Sequence, residues 1–138
     1  MNAPLYTVEI LRLAASLPEP VELERVDGSA SQRSSTCGST VSTMVQLGDG
    51  RVEALSQKVH ACAFGQASAA LVAQQAPGRA RAEVLSALDQ LAAWLSGERN
   101  TPPDWPGYEA LAPALSRKSR HGAILLPLRA LVAALDAV

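Results

Sequence analysis

Four side chains in this sequence have the soft donor atoms of a nucleophile or a metal ligand: Cys37, Cys62, His60 and His121. Cys37 stands in Ser35-Thr36-Cys37-Gly38-Ser39, where glycine lets the backbone turn sharply and leaves the thiol uncrowded. Cys62 stands in His60-Ala61-Cys62-Ala63-Phe64-Gly65-Gln66-Ala67, where a strand-like pattern gives way to a helical one. The unpaired amides and positive dipole end of a helix N-terminus stabilise a thiolate, which is the form that attacks electrophiles and binds metals. The opposing reading is that of a small buried hydrophobe, a common fate of free cysteine, and Ala61-Cys62-Ala63 suits it. The interval between the two cysteines far exceeds the short spacings of zinc fingers, so spacing alone leaves both readings open. His60 shares strand parity with Cys62 and could approach the same pocket. His121, in Ser119-Arg120-His121-Gly122-Ala123 near the start of a final helix, ranks above it as a ligand.

The elements that must position these groups are readable from periodicity. Tyr6, Ile10, Leu13, Ala14 and Leu17 recur at helical spacing until Pro18 and Pro20, which predicts a first helix from about Pro4 to Ser16. Part of the polar run from Asp27 to Ser35 is read as a strand. From Val41 the period becomes two, with Val41, Thr43, Val45 and Leu47 on one face. Gly48-Asp49-Gly50 signals a hairpin, and Arg51 to His60 returns as its partner. The apolar parity changes between Val52 and Leu55, which predicts a bulge near Ala54. Helices follow from Cys62 to about Gln75, and then over Val84 to Leu95 with Gly97 as C-terminal cap. Thr101 to Pro106 reads as a stiff connector, Tyr108 to Leu115 as a short helix, and Ile124 to Leu135 as the last helix. Pro127 fits that helix only near its first turn or at a kink. The order is α+β: a small three-stranded antiparallel sheet with helices packed on one face and the other face open.

Composition narrows the function. A chain of 138 residues, 48% of them hydrophobic, suits one domain spanning 1–138 with one core. A formal charge of −1 argues against nucleic-acid binding, which depends on clustered cations. The local basic run, Arg117-Lys118 and Arg120, reads as a solvated helix start or a docking site for an acidic partner patch. No apolar stretch approaches the ~20 residues of a membrane span, and Met1-Asn2-Ala3-Pro4 lacks the character of a secretory signal. The expectation is a soluble cytoplasmic protein without membrane contact, whose thiols stay reduced.

The succession Cys37-Gly38-Ser39, strand, Asp49-Gly50, strand, and His60-Ala61-Cys62-Ala63-Phe64-Gly65-Gln66-Ala67-Ser68-Ala69 resembles the NifU/IscU/SufU-type iron–sulfur cluster assembly scaffolds. The opening helix from Tyr6 to Ala15 and the segment Arg120-His121-Gly122-Ala123-Ile124-Leu125 are similar to theirs, so the resemblance covers nearly the whole chain. There are departures. The family's third cysteine falls at Gly122 or Ala123, the aspartate of its Cys-Gly-Asp is Ser39, and Leu111-Ala112-Pro113-Ala114-Leu115 stands where a Leu-Pro-Pro-Val-Lys chaperone motif would be. The resemblance is thus to a divergent form of the type, lacking the third cysteine.

The resemblance implies a non-enzymatic scaffold that binds iron or a labile iron–sulfur cluster transiently through Cys37, Cys62 and His121, with Ser39 and His60 as accessory groups. Zinc could occupy the same ligands in the isolated protein. The implied partners are a cysteine desulfurase and iron–sulfur recipient or carrier proteins, and the missing motif argues against a dedicated chaperone. Cys37-Gly38-Ser39-Thr40-Val41 also looks like the Cys-x-Ser-x-Val segment of the related SufE-type sulfur acceptors, in which Cys37 alone would carry persulfide. A third reading is an inert adaptor that keeps the fold and binds partners through the open sheet face; Trp105 and Tyr108 are then a candidate exposed contact patch, against which stands a buried packing role for Trp105.

Overall fold

The computed structural model describes residues 6–35 and 38–138; Cys37 lies outside the described residues. Three strands, β1 (Gly28–Arg33), β2 (Thr40–Gly48) and β3 (Arg51–His60), form one antiparallel sheet in the order β1-β2-β3. The period-two segment behaves as its pattern dictates, with Val41, Thr43 and Val45 buried on one face. Their partners on β3 are Val59, Gln57 and Leu55. The hairpin turns through Asp49 at φ 53° and Gly50 at φ 75°. Two left-handed residues in succession match the right-handed twist of the flanking strands. Gln46 pairs with Ala54 but Leu47 with Val52, so Glu53 is the extra residue of a bulge. That insertion switches the inward-facing parity of β3.

The helices α1 (Val8–Ala15), α2 (Ala63–Gln75), α3 (Arg81–Ser96) and α4 (Lys118–Asp136) gather on one side, with a 3₁₀ helix at Tyr108–Ser116. α4 lies across β1 and β2, and α2 lies against both β3 and α4. The core between the layers is aliphatic, with Val45, Leu71, Leu91, Ile124, Leu128 and Leu131 among its buried members. A Cβ at Gly28 would run into the carbonyl of Ala134, so β1 and α4 meet backbone to backbone.

Pro127 departs from expectation. It sits well inside α4 rather than near its first turn. A proline there removes the amide that would have bonded the carbonyl of Ala123, four residues earlier, and its ring crowds that carbonyl. Two residues of the neighbouring helix lie close to this stretch. Gly65 of α2 faces the Ala123 carbonyl, with only 3.3 Å available for a Cβ. Ser68 of α2 donates its hydroxyl to the next carbonyl, Ile124, at 2.6 Å.

The far face of the sheet, expected to be open, is partly covered. Beyond α1 the chain runs as an extended strap that crosses from β3 toward β1. The Val21 amide donates to Ser56 Oγ at 3.0 Å, the Arg25 amide reaches Gln46 Oε1, and the Asp27 amide donates to the Val45 carbonyl at 2.8 Å. The Asp27 carboxylate accepts the Leu47 amide at 2.7 Å and pairs with Arg25. Ser56 and Gln46 are buried in consequence.

Trp105 and Tyr108 likewise differ from the exposed patch considered from sequence, because both are buried. The Trp105 indole N–H donates to the Leu71 carbonyl at 2.9 Å, and the Arg79 guanidinium lies 4.2 Å from the indole ring centre. Tyr108 and Ser68 share a 2.7 Å hydrogen bond. Ser68 spends its single proton on Ile124, so the tyrosine hydroxyl is the donor. Burial pushes the Tyr108 hydroxyl far up, so it stays protonated.

Candidate thiol and imidazole site

Cys62 is the residue from which α2 starts. Its backbone is extended, at φ −67° and ψ 174°, and its carbonyl accepts the first helical bond, from the Gln66 amide at 2.9 Å. Its side chain makes no capping bond, and the residue is half-buried and packs against the hydrophobic core. Gln66 reaches back to the Ala61 carbonyl at 3.2 Å, tying the strand exit to the helix start. The thiol is free.

His121 lies in the first turn of α4 and is half-buried. Its Nε2 is 2.8 Å from the carbonyl oxygen of Ala114 in the 3₁₀ helix. Gly65 follows Cys62 by three residues and Ala123 follows His121 by two, and Gly65 packs on Ala123. This crossing carries the starts of α2 and α4 to the same end of the molecule. Gly65 permits it, since a Cβ there would lie 2.6 Å from the Ala61 Cβ as well.

The strands deliver His60 and the start of β2 to that end. Thr40, the first residue of β2, pairs with His60, the last of β3, and Cys62 follows two residues later. The β1–β2 connection closes through the Ser34 amide on the Ser39 carbonyl at 2.8 Å. Ser39 itself is buried, at 5% exposure, which turns it toward the protein rather than toward an incoming ligand. His60 is exposed and lines a cleft of about 430 Å³ with Leu17, Pro18, Glu19, Lys58 and Gln66.

Among the described residues no three His, Cys, Asp or Glu side chains are grouped to hold a metal ion. The described donors at this end are one thiol, Cys62, and the imidazoles of His121 and His60, soft and borderline groups that need a further thiolate for tight binding. Sequence reasoning missed the Ala114 carbonyl and Gly65. A carbonyl carries no mark in a sequence, and Gly65 is constrained by Ala61 four residues before it together with Ala123 on a helix more than fifty residues away.

No family model and no curated protein matches the sequence. Solved structures do match. The N-terminal part of a nitrogen-fixing NifU-like protein from Brucella abortus superposes with a TM-score of 0.89 at 28% identity, covering 96% of this chain and 92% of that one. A protein assigned as an iron–sulfur cluster assembly scaffold of the SUF system in Fervidobacterium islandicum gives 0.76 at 19% identity, covering 95% and 96%. A hypothetical protein known at 2.3 Å gives 0.72 at 20% identity, covering 94% and 97%.

Proposed function

We infer, from a chain whose structural neighbours are NifU-like and SufU-like proteins, that it works in iron–sulfur cluster assembly as a non-enzymatic scaffold, its 138 residues acting as one domain. Iron, or a labile cluster, is the cargo. Cys37, Cys62 and His121 are its ligands in this reading, and His60 is an accessory at the rim. The observation that carries it is the helix crossing at Gly65 and Ala123, which gathers the starts of α2 and α4 at the end where β2 begins and β3 finishes.

The chemistry asks little of the protein beyond holding soft donors where they stay accessible. Cys62 precedes the free amides of α2, which favour negative charge at that point. Three ligands leave a coordination position open for a partner's sulfur or for water, and fewer thiolates mean a more easily released cargo. A cysteine desulfurase as sulfur source and iron–sulfur proteins as recipients complete the cycle.

Anaerobic addition of ferrous iron and sulfide should produce a species absorbing in the visible range. Cys37→Ala and Cys62→Ala should each abolish it, and His121→Ala should weaken it. A wild-type chain that forms no such species under any tested ratio sinks the scaffold reading.

The burial of Ser39 favours a second reading. With that side chain turned inward, Cys37 can serve alone as a sulfur acceptor. Its thiolate would attack the outer sulfur of a desulfurase persulfide, the S–S bond would break, the desulfurase thiolate would leave, and Cys37 would hold the persulfide with no net redox change. Mass spectrometry after incubation with a desulfurase, cysteine and an alkylating trap should then find one added sulfur on Cys37. An unmodified Cys37 removes this alternative.

A further inference from the structure

One side of the His121 ring is already engaged. Nε2 lies within hydrogen-bond distance of the Ala114 carbonyl oxygen, and a carbonyl can only accept. The proton therefore resides on Nε2, and Nδ1 of the neutral ring holds the free electron pair. No described group engages Nδ1. The acceptor is firmly seated, since the same oxygen also takes the Arg117 amide at 2.9 Å where the 3₁₀ helix ends and α4 begins. Ala114 is buried, and Pro113 before it has a fixed φ.

We propose that Ala114 is a positioning residue of the scaffold site: its carbonyl holds His121 in the Nε2-protonated tautomer and leaves Nδ1 as the nitrogen offered to the cargo metal. The inference rests on the reading of His121 as a ligand. Its physical basis is general, because a second-nitrogen hydrogen bond fixes both the tautomer and the ring plane of a metal-binding histidine and raises its basicity. The ring then need not be ordered when metal arrives. A further consequence is that the 3₁₀ helix and the ligand move together, so a displacement of Tyr108–Ser116 would withdraw the imidazole.

The sequence has two histidines, so His60→Gln assigns both rings in a long-range proton–nitrogen correlation spectrum. Recorded on the metal-free chain at about pH 8, above the ordinary imidazole range, His121 should show pyrrole-like Nε2, pyridine-like Nδ1 and an Nε2 proton protected from exchange. A protonated Nδ1, or an Nε2 proton exchanging as fast as that of His60 in the wild type, overturns the tautomer assignment.

Cadmium, a spectroscopic substitute for iron or zinc, is then titrated. The Nδ1 resonance should move or split. A change at Nε2 instead, or bound cadmium with His121 unchanged, overturns the ligand assignment. His121→Asn places an amide oxygen where Nδ1 stood, whereas His121→Gln reaches only the place of Nε2. Asparagine should keep part of the cadmium affinity while glutamine loses as much as His121→Ala; the reverse order defeats the proposal. A wild-type chain that binds no cadmium ends the scaffold reading and the ligand half of the inference, and the metal-free spectrum still decides the tautomer.

Discussion

The hydroxyl of Ser68 occupies a point where three elements meet. It donates to Ile124 of α4 and accepts from Tyr108 of the 3₁₀ helix while belonging to α2. Both side chains are wholly buried, so neither can exchange a lost partner for water. Ser68→Ala should leave the Tyr108 hydroxyl with no partner and cost about 1–3 kcal/mol, whereas Tyr108→Phe, which removes the donor and its stranded proton together, should cost nearer 1 kcal/mol. Thermal unfolding of the two variants checks the order. Equal losses would mean that packing, and not the hydrogen bond, sets the cost. Neither partner was foreseeable from its neighbours in the chain, because Tyr108 reads only as the start of a short helix after a proline-rich connector and its bond spans forty residues. The candidate ligands were legible one at a time, as a cysteine before a helix and a histidine at a helix start. The carbonyl beside His121 and the crossing of the two helices leave no trace in local sequence.

At the level of elements, the contact between α2 and α4 is where opposing effects can be separated. Gly65→Ala at an open helical position would gain roughly 1 kcal/mol of helix propensity. Here the added methyl would meet the Ala61 Cβ at 2.6 Å and the Ala123 carbonyl at 3.3 Å. Overpacking of that kind costs about 1–3 kcal/mol, so the expected sign is a net loss of stability, with weaker cadmium binding as the helix starts move apart. Adding Ala61→Gly should restore part of the stability, and denaturant titration of the single and double variants measures the coupling. A stabilised Gly65→Ala chain would show that the crossing is looser than described. The strands and their hairpin were legible because alternation and Asp49-Gly50 are local signals, and the bulge announced itself through the broken parity of β3. The place of Pro127 within its helix was not legible, because α4 begins at Lys118, ahead of the apolar periodicity that starts at Ile124.

For the molecule as a whole, the strap beyond α1 determines how much of the sheet meets solvent. Its anchors are few: the Val21 amide on Ser56, the Arg25 amide on Gln46, and the Asp27 carboxylate on the Leu47 amide. Asp27→Ala removes the last of these together with the Arg25 pair, so it should lower the unfolding temperature by a few degrees, an effect of about 1–2 kcal/mol. The same variant should raise binding of a fluorescent apolar dye as the far face opens; unchanged dye binding would mean the strap holds without it. The sequence offered no hint of this path, since serine, glutamine and aspartate look alike whether they face water or a crossing chain. The strap begins with Pro18 and Pro20, alongside Gln57 to His60. Proline has no amide to donate, so a foreign strand approaching β3 there meets a border that cannot extend the ladder. On the scaffold reading, the chain that offers a sulfur-bearing end to visitors sets two residues with no amide to donate beside β3, where a copy of itself would have to pair.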